Sequence, residues 1–213
     1  MNALFILLFA VSIFYFSISV NVKTYIRLLG FQGVLLFLIA LNGLHELSYI
    51  HLIFIALETL VFKGILIPAY LLNISKKNKV TNIKNFKARR KMKGFYLILT
   101  TTLVFVSTIF LGNLLKNDFL DVKIFSTAIT AVLMGLIFIV INKNITIHII
   151  SFIIIENGVF LLALAIGNEM PMMVNTAILL DLFVSVLVLG VFFNKLTYHF
   201  HNDSTDILSK LKD

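Results

Sequence analysis

Apolar residues occur along this chain in long blocks, and polar residues are concentrated in the short stretches between them. Each block is about as long as a helix that crosses the roughly 30 Å hydrocarbon core of a bilayer. The pattern therefore predicts an all-α polytopic membrane protein. The first block lacks the basic start and the small-residue cleavage pattern of a signal peptide, so we expect it to remain as a helix. The blocks predict seven transmembrane helices, at Leu4–Val20, Tyr25–Leu44, Ile50–Asn73, Gly94–Leu115, Val122–Ile141, Ile147–Gly167 and Met173–Asn194.

The distribution of basic residues predicts the orientation of these helices. Of the 18 Lys and Arg residues, nine lie between Lys76 and Lys93, and the positive-inside rule places that loop in the cytoplasm. With seven spans, the N-terminus is then outside and the C-terminus inside. This orientation leaves 15 basic residues inside and only Lys116 and Lys123 outside, with Lys63 within a span. The predicted organisation is a three-helix half at 1–75, a basic cytoplasmic loop at 76–93, a four-helix half at 94–195 and a cytoplasmic tail at 196–213.

Composition agrees with this class and excludes several kinds of site. Apolar residues make up 60% of the chain and charged residues 13%, and the net charge of +8 comes mostly from the basic loop. No aromatic platform accompanies this loop, so we expect contact with anionic lipid headgroups and no nucleic-acid partner. The absence of cysteine excludes disulfides and iron–sulfur clusters held by this chain. The five histidines form no i, i+4 pair within the membrane core, so we expect no haem or metal here.

Two successive predicted helices each carry one carboxylic acid near the middle. Glu156 lies in the sixth helix and Asp181 in the seventh. An acid at that depth costs on the order of 3 kcal/mol by insertion scales, and a helix that only anchors would use Leu there. Proton or ion handling is the favoured interpretation. The alternative is that the acids pack a helix bundle together.

The third predicted helix contains both a carboxylate and a lysine. Glu58 and Lys63 are five residues apart, which places them about 140° apart on a regular α-helix. They can meet if the helix contains a π-bulge, a device frequent at functional sites, and otherwise each needs a partner on another helix. Gly64 and Pro68 favour local irregularity. Lys63 is roughly 15 Å from the basic loop, so snorkelling to the surface is the weaker alternative.

Three further polar residues complete the predicted proton-transfer set. His148 lies on the same helical face as Glu156, about 12 Å away along the axis, so one or two waters could connect the two side chains. The alternative for His148 is an interfacial side chain in contact with water. Ser185 follows Asp181 at i+4 and can hydrogen-bond it. Asn157, beside Glu156, is the second supporting polar residue.

A weak internal repeat relates the two halves of the chain. Residues Gln32-Gly33-Val34 in the second helix resemble Asn157-Gly158-Val159 in the sixth. Glu58 and Asp181 then occupy equivalent positions, 25 and 23 residues after the respective glycines. The corresponding helices have the same predicted orientation, so the repeat is of the parallel kind.

Several motifs resemble known families of energy-converting membrane complexes. The segment from Ser126 to Phe193, with one mid-membrane acid in each of its last two helices, resembles the K-type subunit of respiratory complex I and the C-type subunit of Mrp sodium/proton antiporters. The full length resembles the hydrogenase-4 component E family of membrane proteins. That resemblance is carried by Phe-Lys-Gly-Ile-Leu-Ile-Pro at 62–68, Ile-Glu-Asn-Gly at 155–158, Leu-Leu-Asp-Leu at 179–182, and a tail with Asp206-Ile207-Leu208 followed by Leu211-Lys212.

The resemblance implies a membrane-arm subunit of a hydrogenase-4 or formate hydrogenlyase-type complex in a bacterial or archaeal cytoplasmic membrane. Such a chain would be a non-catalytic, cofactor-free subunit of an oxidoreductase complex, with nickel–iron and iron–sulfur centres in its partners. Those partners would be antiporter-like membrane subunits, a quinone-site-like membrane subunit and a peripheral hydrogenase module. Glu156, Asp181, Glu58 and Lys63 would couple electron transfer to proton movement. The alternatives are a subunit of an Mrp-type antiporter and a purely structural subunit.

Overall fold

The computed structural model describes residues 2–19, 21–43, 53, 55–77, 83–114, 121–142, 145–165 and 190. Within these residues the elements are helices and none is a strand. Apart from Gly190, the predicted seventh helix and the tail at 196–213 lie outside the described residues. The helices are α1 (Asn2–Ile18), α2 (Val22–Gly43), α3 (a π-helical segment at Leu57–Leu66 followed by an α-helical segment at Ile67–Lys77), α4 (Ile83–Leu114), α5 (Val122–Ile141) and α6 (Ile145–Ala165).

Four of the described helices are long and apolar enough to cross a membrane. These segments are Val22–Asn42, Leu97–Leu114, Val122–Ile141 and Thr146–Ala165. Shorter apolar helices cover Ala3–Ile18 and Thr59–Asn73. The prediction of an all-α membrane protein is confirmed at this level. Seven spans and the N-out, C-in orientation remain predictions.

The distribution of side chains between surface and interior is typical of a bundle surrounded by lipid. From Leu97 to Leu114 the exposed side chains of α4 are mostly apolar, and Leu103 and Phe110 are 62% and 67% exposed. Polar side chains are instead buried between helices. The Ser17 and Thr101 hydroxyls are 2.7 Å apart between α1 and α4, and those of Thr108 and Thr130 are 3.0 Å apart between α4 and α5. Hydroxyls commonly join helices in this way where the surroundings offer no water.

Helix α4 begins earlier than the hydropathy pattern predicts. The apolar block begins at Gly94, whereas the helix begins at Ile83 and includes most of the predicted basic loop. Residues 83–93 are rich in Lys and Arg, which have high helix propensity, and contain neither Gly nor Pro. Hydropathy detects the part of a helix that lies in lipid, and the helical backbone itself continues beyond that boundary.

Helix α2 connects the two halves of the chain, because it packs against α1, α3 and α6. Its contact with α3 brings two backbones together. A Cβ atom added to Gly33 would lie 2.7 Å from the backbone nitrogen of Gly64 and 2.9 Å from the carbonyl carbon of Lys63. Such close approach is the usual role of small residues between membrane helices. It places the backbone of Lys63 directly beside Gln32-Gly33.

Helix α6 packs closely against α5 next to the predicted acid. A Cβ atom on Gly158 would lie 2.9 Å from the carbonyl oxygen of Ala128. Glu156 and Asn157 therefore sit on a helix that is fixed by α5 on one side and α2 on another.

Candidate functional site

The structure joins the third and sixth helices by a buried ion pair. The Lys63 ammonium contacts the Glu156 carboxylate oxygen Oε1. Lys63 is 2% exposed and Glu156 8% exposed, so neither side chain faces lipid. Within the described structure, Glu156 is therefore surrounded by protein. Lys63 also has a partner on another helix, which is one of the two possibilities its sequence spacing allowed.

An aromatic ring forms another contact of the ammonium. The Nζ atom of Lys63 lies 4.7 Å from the ring centroid of Phe160. Phe160 follows Glu156 by four residues, so one face of α6 presents both a carboxylate and the face of a π-system to the same cation. These two contacts fix the end of a long side chain that begins on α3.

The backbone around Lys63 is a π-helix. It covers Leu57–Leu66, and the N–H of Ile67 at its end donates to the carbonyl of Phe62, five residues back. On a π-helix, residues five apart lie nearly above one another on successive turns, whereas on a regular α-helix they are about 140° apart. The irregularity expected between Glu58 and Lys63 is therefore present in the backbone. The side chain of Glu58 is outside the described part of the structure, and its contact with Lys63 remains a prediction.

A chain of polar side chains runs from the acid-bearing helix into the first half of the protein. The amide nitrogen of Asn157 donates to Gln32 Oε1 at 3.2 Å. The Gln32 amide nitrogen donates to the Ser12 hydroxyl at 2.8 Å, and that hydroxyl donates to the Phe9 carbonyl at 2.6 Å. Gln32 and Asn157 have no exposed surface. The two residues paired by the internal repeat thus contact each other.

Two oxygen atoms at this site have no hydrogen-bond donor among the described residues. They are Oε2 of Glu156 and Oδ1 of Asn157, and both are buried. A buried acceptor without a donor is costly, about 1–3 kcal/mol. Each of these atoms has a lone pair that a proton, a water molecule or a cation can bind.

Comparisons with known proteins leave this site without a family assignment. No protein-family model matches the chain. No curated protein and no solved structure matches it either. The resemblance to the hydrogenase-4 component E family therefore rests on the motifs of the sequence, and its functional content is a proposal.

His148 lies at the start of α6, one turn from the helix end. Its Nε2 atom is 2.5 Å from the carbonyl oxygen of Asn142, in the turn between α5 and α6. Between His148 and Glu156, the Phe152 side chain is 44% exposed, and the Ser151 hydroxyl donates to the Ile147 carbonyl of its own helix. The structure brings His148 to the turn and not into contact with Glu156. A water-mediated connection between them remains a prediction.

The remaining predicted site residues, Asp181 and Ser185, lie outside the described residues. Sequence reasoning did not select Gln32, Ser12 or Phe160 for the site. Gln32 carried a usable signal, since it is an uncharged polar residue within an apolar block and matches Asn157 in the internal repeat. Within the described residues, no cluster of three or more His, Cys, Asp and Glu side chains could hold a metal ion.

Proposed function

We propose that this chain is a membrane-arm subunit of a hydrogenase-4 or formate hydrogenlyase-type complex and that Lys63 and Glu156 form part of its proton-transfer path. The observation that carries the proposal is the buried contact between these two side chains on different helices. Moving one proton from Nζ to Oε1 breaks an N–H bond, forms an O–H bond and converts the charged pair into a neutral pair. The pair can therefore hold a proton in either of two places without contact with water.

The free-energy cost of burying two charges favours a functional role for the Lys63–Glu156 pair. Removing two charges from water costs several kcal/mol per ion, and apolar residues of similar volume are often as stable or more stable. A subunit that needed only a firm contact between α3 and α6 could use Leu or Phe there. A group that takes up and releases a proton requires ionisable atoms.

The partners and cofactors follow from the same resemblance. Redox chemistry would take place at nickel–iron and iron–sulfur centres in other subunits, and this chain would hold no cofactor. Antiporter-like subunits, a quinone-site-like subunit and a peripheral hydrogenase module would be its neighbours in a bacterial or archaeal cytoplasmic membrane. Glu58, Asp181 and His148 would extend the path. Purification of the intact complex tests this assembly, because hydrogenase subunits should co-purify with this chain, whereas an Mrp-type complex would contain none.

One observation favours a purely structural role. The ion pair and the Asn157–Gln32 hydrogen bond connect α6 to α3 and α2, and Gln32 extends that connection to α1. A network of this kind fixes the arrangement of four helices whether or not any proton moves. The two roles predict different responses to conservative substitutions.

Replacement of Glu156 by Gln should abolish coupling and leave assembly intact. The amide keeps the size of the carboxylate and can still hydrogen-bond, but it cannot carry the proton. We expect proton-coupled turnover in membrane vesicles, normalised to assembled complex, to fall by at least about tenfold, as for loss of a positioned proton-transfer group. Lys63→Met should also lower proton-coupled turnover, but by a smaller factor.

Lys123→Gln is the matched control, because Lys123 is exposed at the start of α5 and is not a member of the ion pair. It should leave turnover unchanged. Normal coupled turnover in Glu156→Gln would remove the proton role of this residue. The structural role would then be favoured, and it predicts that Glu156→Leu impairs assembly.

A further inference from the structure

The site described above contains the contacts that bind a monovalent metal cation, with a side-chain ammonium in the place of the metal. Lys63 Nζ is in contact with a carboxylate oxygen of Glu156 and lies 4.7 Å from the ring centroid of Phe160. A carboxylate and an aromatic face are groups that attract any small cation. The ammonium reaches this position from α3, where the Lys63 side chain is buried and its backbone lies against α2.

Further buried oxygen atoms lie on Asn157, the residue after Glu156, and on its hydrogen-bond partner Gln32. Glu156 Oε2 and Asn157 Oδ1 are buried and have no donor among the described residues. Gln32 Oε1 accepts one hydrogen bond, from the Asn157 amide. Carboxylate and amide oxygens are the ligands that hard cations prefer, and buried oxygens within a membrane coordinate Na⁺ in transporters. The oxygens suit an alkali ion, and the tethered ammonium occupies the position beside the carboxylate.

We propose that Lys63 acts as a built-in monovalent cation that keeps Na⁺ out of the Glu156 site, so that the ion handled there is the proton. The proposal rests on the proposed function, since it names the ion that the same site handles. Lys63 would exclude Na⁺ by occupying its position. A proton needs only one lone pair of the carboxylate, whereas Na⁺ needs several oxygens and the position that Nζ fills. Removal of the Lys63 charge should therefore create a Na⁺ site in a protein that has none at this position.

The experiment measures the Tm of the full chain, purified in detergent, in NaCl and in choline chloride at equal ionic strength. The wild type should show the same Tm in both salts. Lys63→Met should be stabilised by NaCl, with a Tm about 5 °C or more above its value in choline chloride, because a bound cation stabilises the folded state. Lys63→Arg keeps a tethered cation and should show no difference between the salts.

The double variant Lys63→Met/Glu156→Gln locates the effect. It lacks the carboxylate and should lose the Na⁺ response, so a retained response would place Na⁺ elsewhere and overturn the proposal. A Na⁺ response in the wild type, or none in Lys63→Met, would also overturn it.

If Lys63→Met cannot be isolated in choline chloride, Lys63→Gln, whose amide can donate to Glu156, replaces it. Recovery of folded protein in NaCl alone supports the proposal, and failure in both salts for both variants contradicts it.

These outcomes are separable from the test of the proposed function. Loss of coupled turnover in Glu156→Gln together with no Na⁺ response in Lys63→Met would retain the proton path and reject the occupancy role of Lys63. Normal turnover in Glu156→Gln with a Na⁺ response in Lys63→Met would reject the proton path and leave the cation site in place.

Discussion

Gln32 shows how one uncharged side chain supports the charged site. Its amide oxygen accepts from Asn157 on α6 and its amide nitrogen donates to Ser12 on α1. The residue that follows it, Gly33, is in backbone contact with the peptide between Lys63 and Gly64. Gln32 is therefore a positioning residue, because it holds the neighbour of Glu156 without contact with the carboxylate in the described structure.

Replacement of Gln32 by Leu should destabilise the protein by about 1–3 kcal/mol, because it leaves the buried Asn157 amide nitrogen without its acceptor. The measurement is the Tm of the detergent-solubilised chain. The double variant Gln32→Leu/Asn157→Leu should recover much of the loss, since apolar replacement of both partners can be nearly neutral. Thr102→Val is the control, because this exposed hydroxyl bonds only within its own helix. Additive losses in the double variant would show that the hydrogen bond is not the cause.

At the scale of elements, the contact between α2 and α3 determines where Lys63 begins. Gly33 is opposite the peptide that joins Lys63 to Gly64, and the π-helical backbone of Leu57–Leu66 sets the rotation of this segment. A wider separation of α2 and α3 would move the Lys63 backbone away from α2. It would also change the distance that the Lys63 side chain must span to reach α6. The glycine contact thus connects helix packing to the geometry of the ion pair.

The two glycines of this contact should respond differently to Ala. A Cβ atom on Gly33 would lie 2.7 Å from the nitrogen of Gly64, whereas the nearest atom to a Cβ on Gly64 is the Thr59 carbonyl oxygen at 3.4 Å. We expect Gly33→Ala to lower stability by about 1–3 kcal/mol through overpacking of two backbones. Gly64→Ala, the matched control, should change it little. Thermal denaturation in detergent gives both values, and equal effects would contradict the observed close approach.

At the scale of the whole molecule, apolar side chains cover much of the described surface as well as the core, unlike in a water-soluble protein. Apolar side chains such as Leu103 and Phe110 face outward, whereas Lys63, Glu156 and Gln32 are inside. Lipid hydrocarbon cannot hydrogen-bond, so polar groups gain by facing each other. This arrangement explains why the ionisable residues of distant helices converge in the interior.

Membrane topology provides the test at this scale. Reporter fusions after Lys79 and after Asp118 should report opposite sides of the membrane, with the first in the cytoplasm, because basic residues are concentrated around Lys76–Lys93. A fusion at the C-terminus should report the same side as the one after Lys79. If the fusions after Lys79 and Asp118 report one side, then α4 does not span the membrane as predicted.

The predicted helices and the described ones agree most closely where hydropathy alone decides the boundary. Val122–Ile141 was predicted with the same bounds that α5 has, and α2 and α6 differ by at most three residues at either end. The start of α4 was missed, because six of residues 83–93 are charged and the segment forms no continuous apolar block, although Lys and Arg favour helix. Hydropathy reports transfer into lipid and not backbone hydrogen bonding.

The sequence by itself determined the class of protein and which residues are energetically costly to place within a membrane. A Glu and a Lys within apolar blocks are unfavourable in hydrocarbon wherever the helices pack, so Lys63 and Glu156 could be selected without a structure. Only the tertiary structure decided that they meet. They are 93 residues apart in sequence, on helices α3 and α6. The periodicity of apolar residues within a helix shows which face is buried but not which other helix that face will contact. Three features together bring the ammonium to the carboxylate: the close Gly33–Gly64 contact, the π-helical backbone around Lys63 and the position of Phe160.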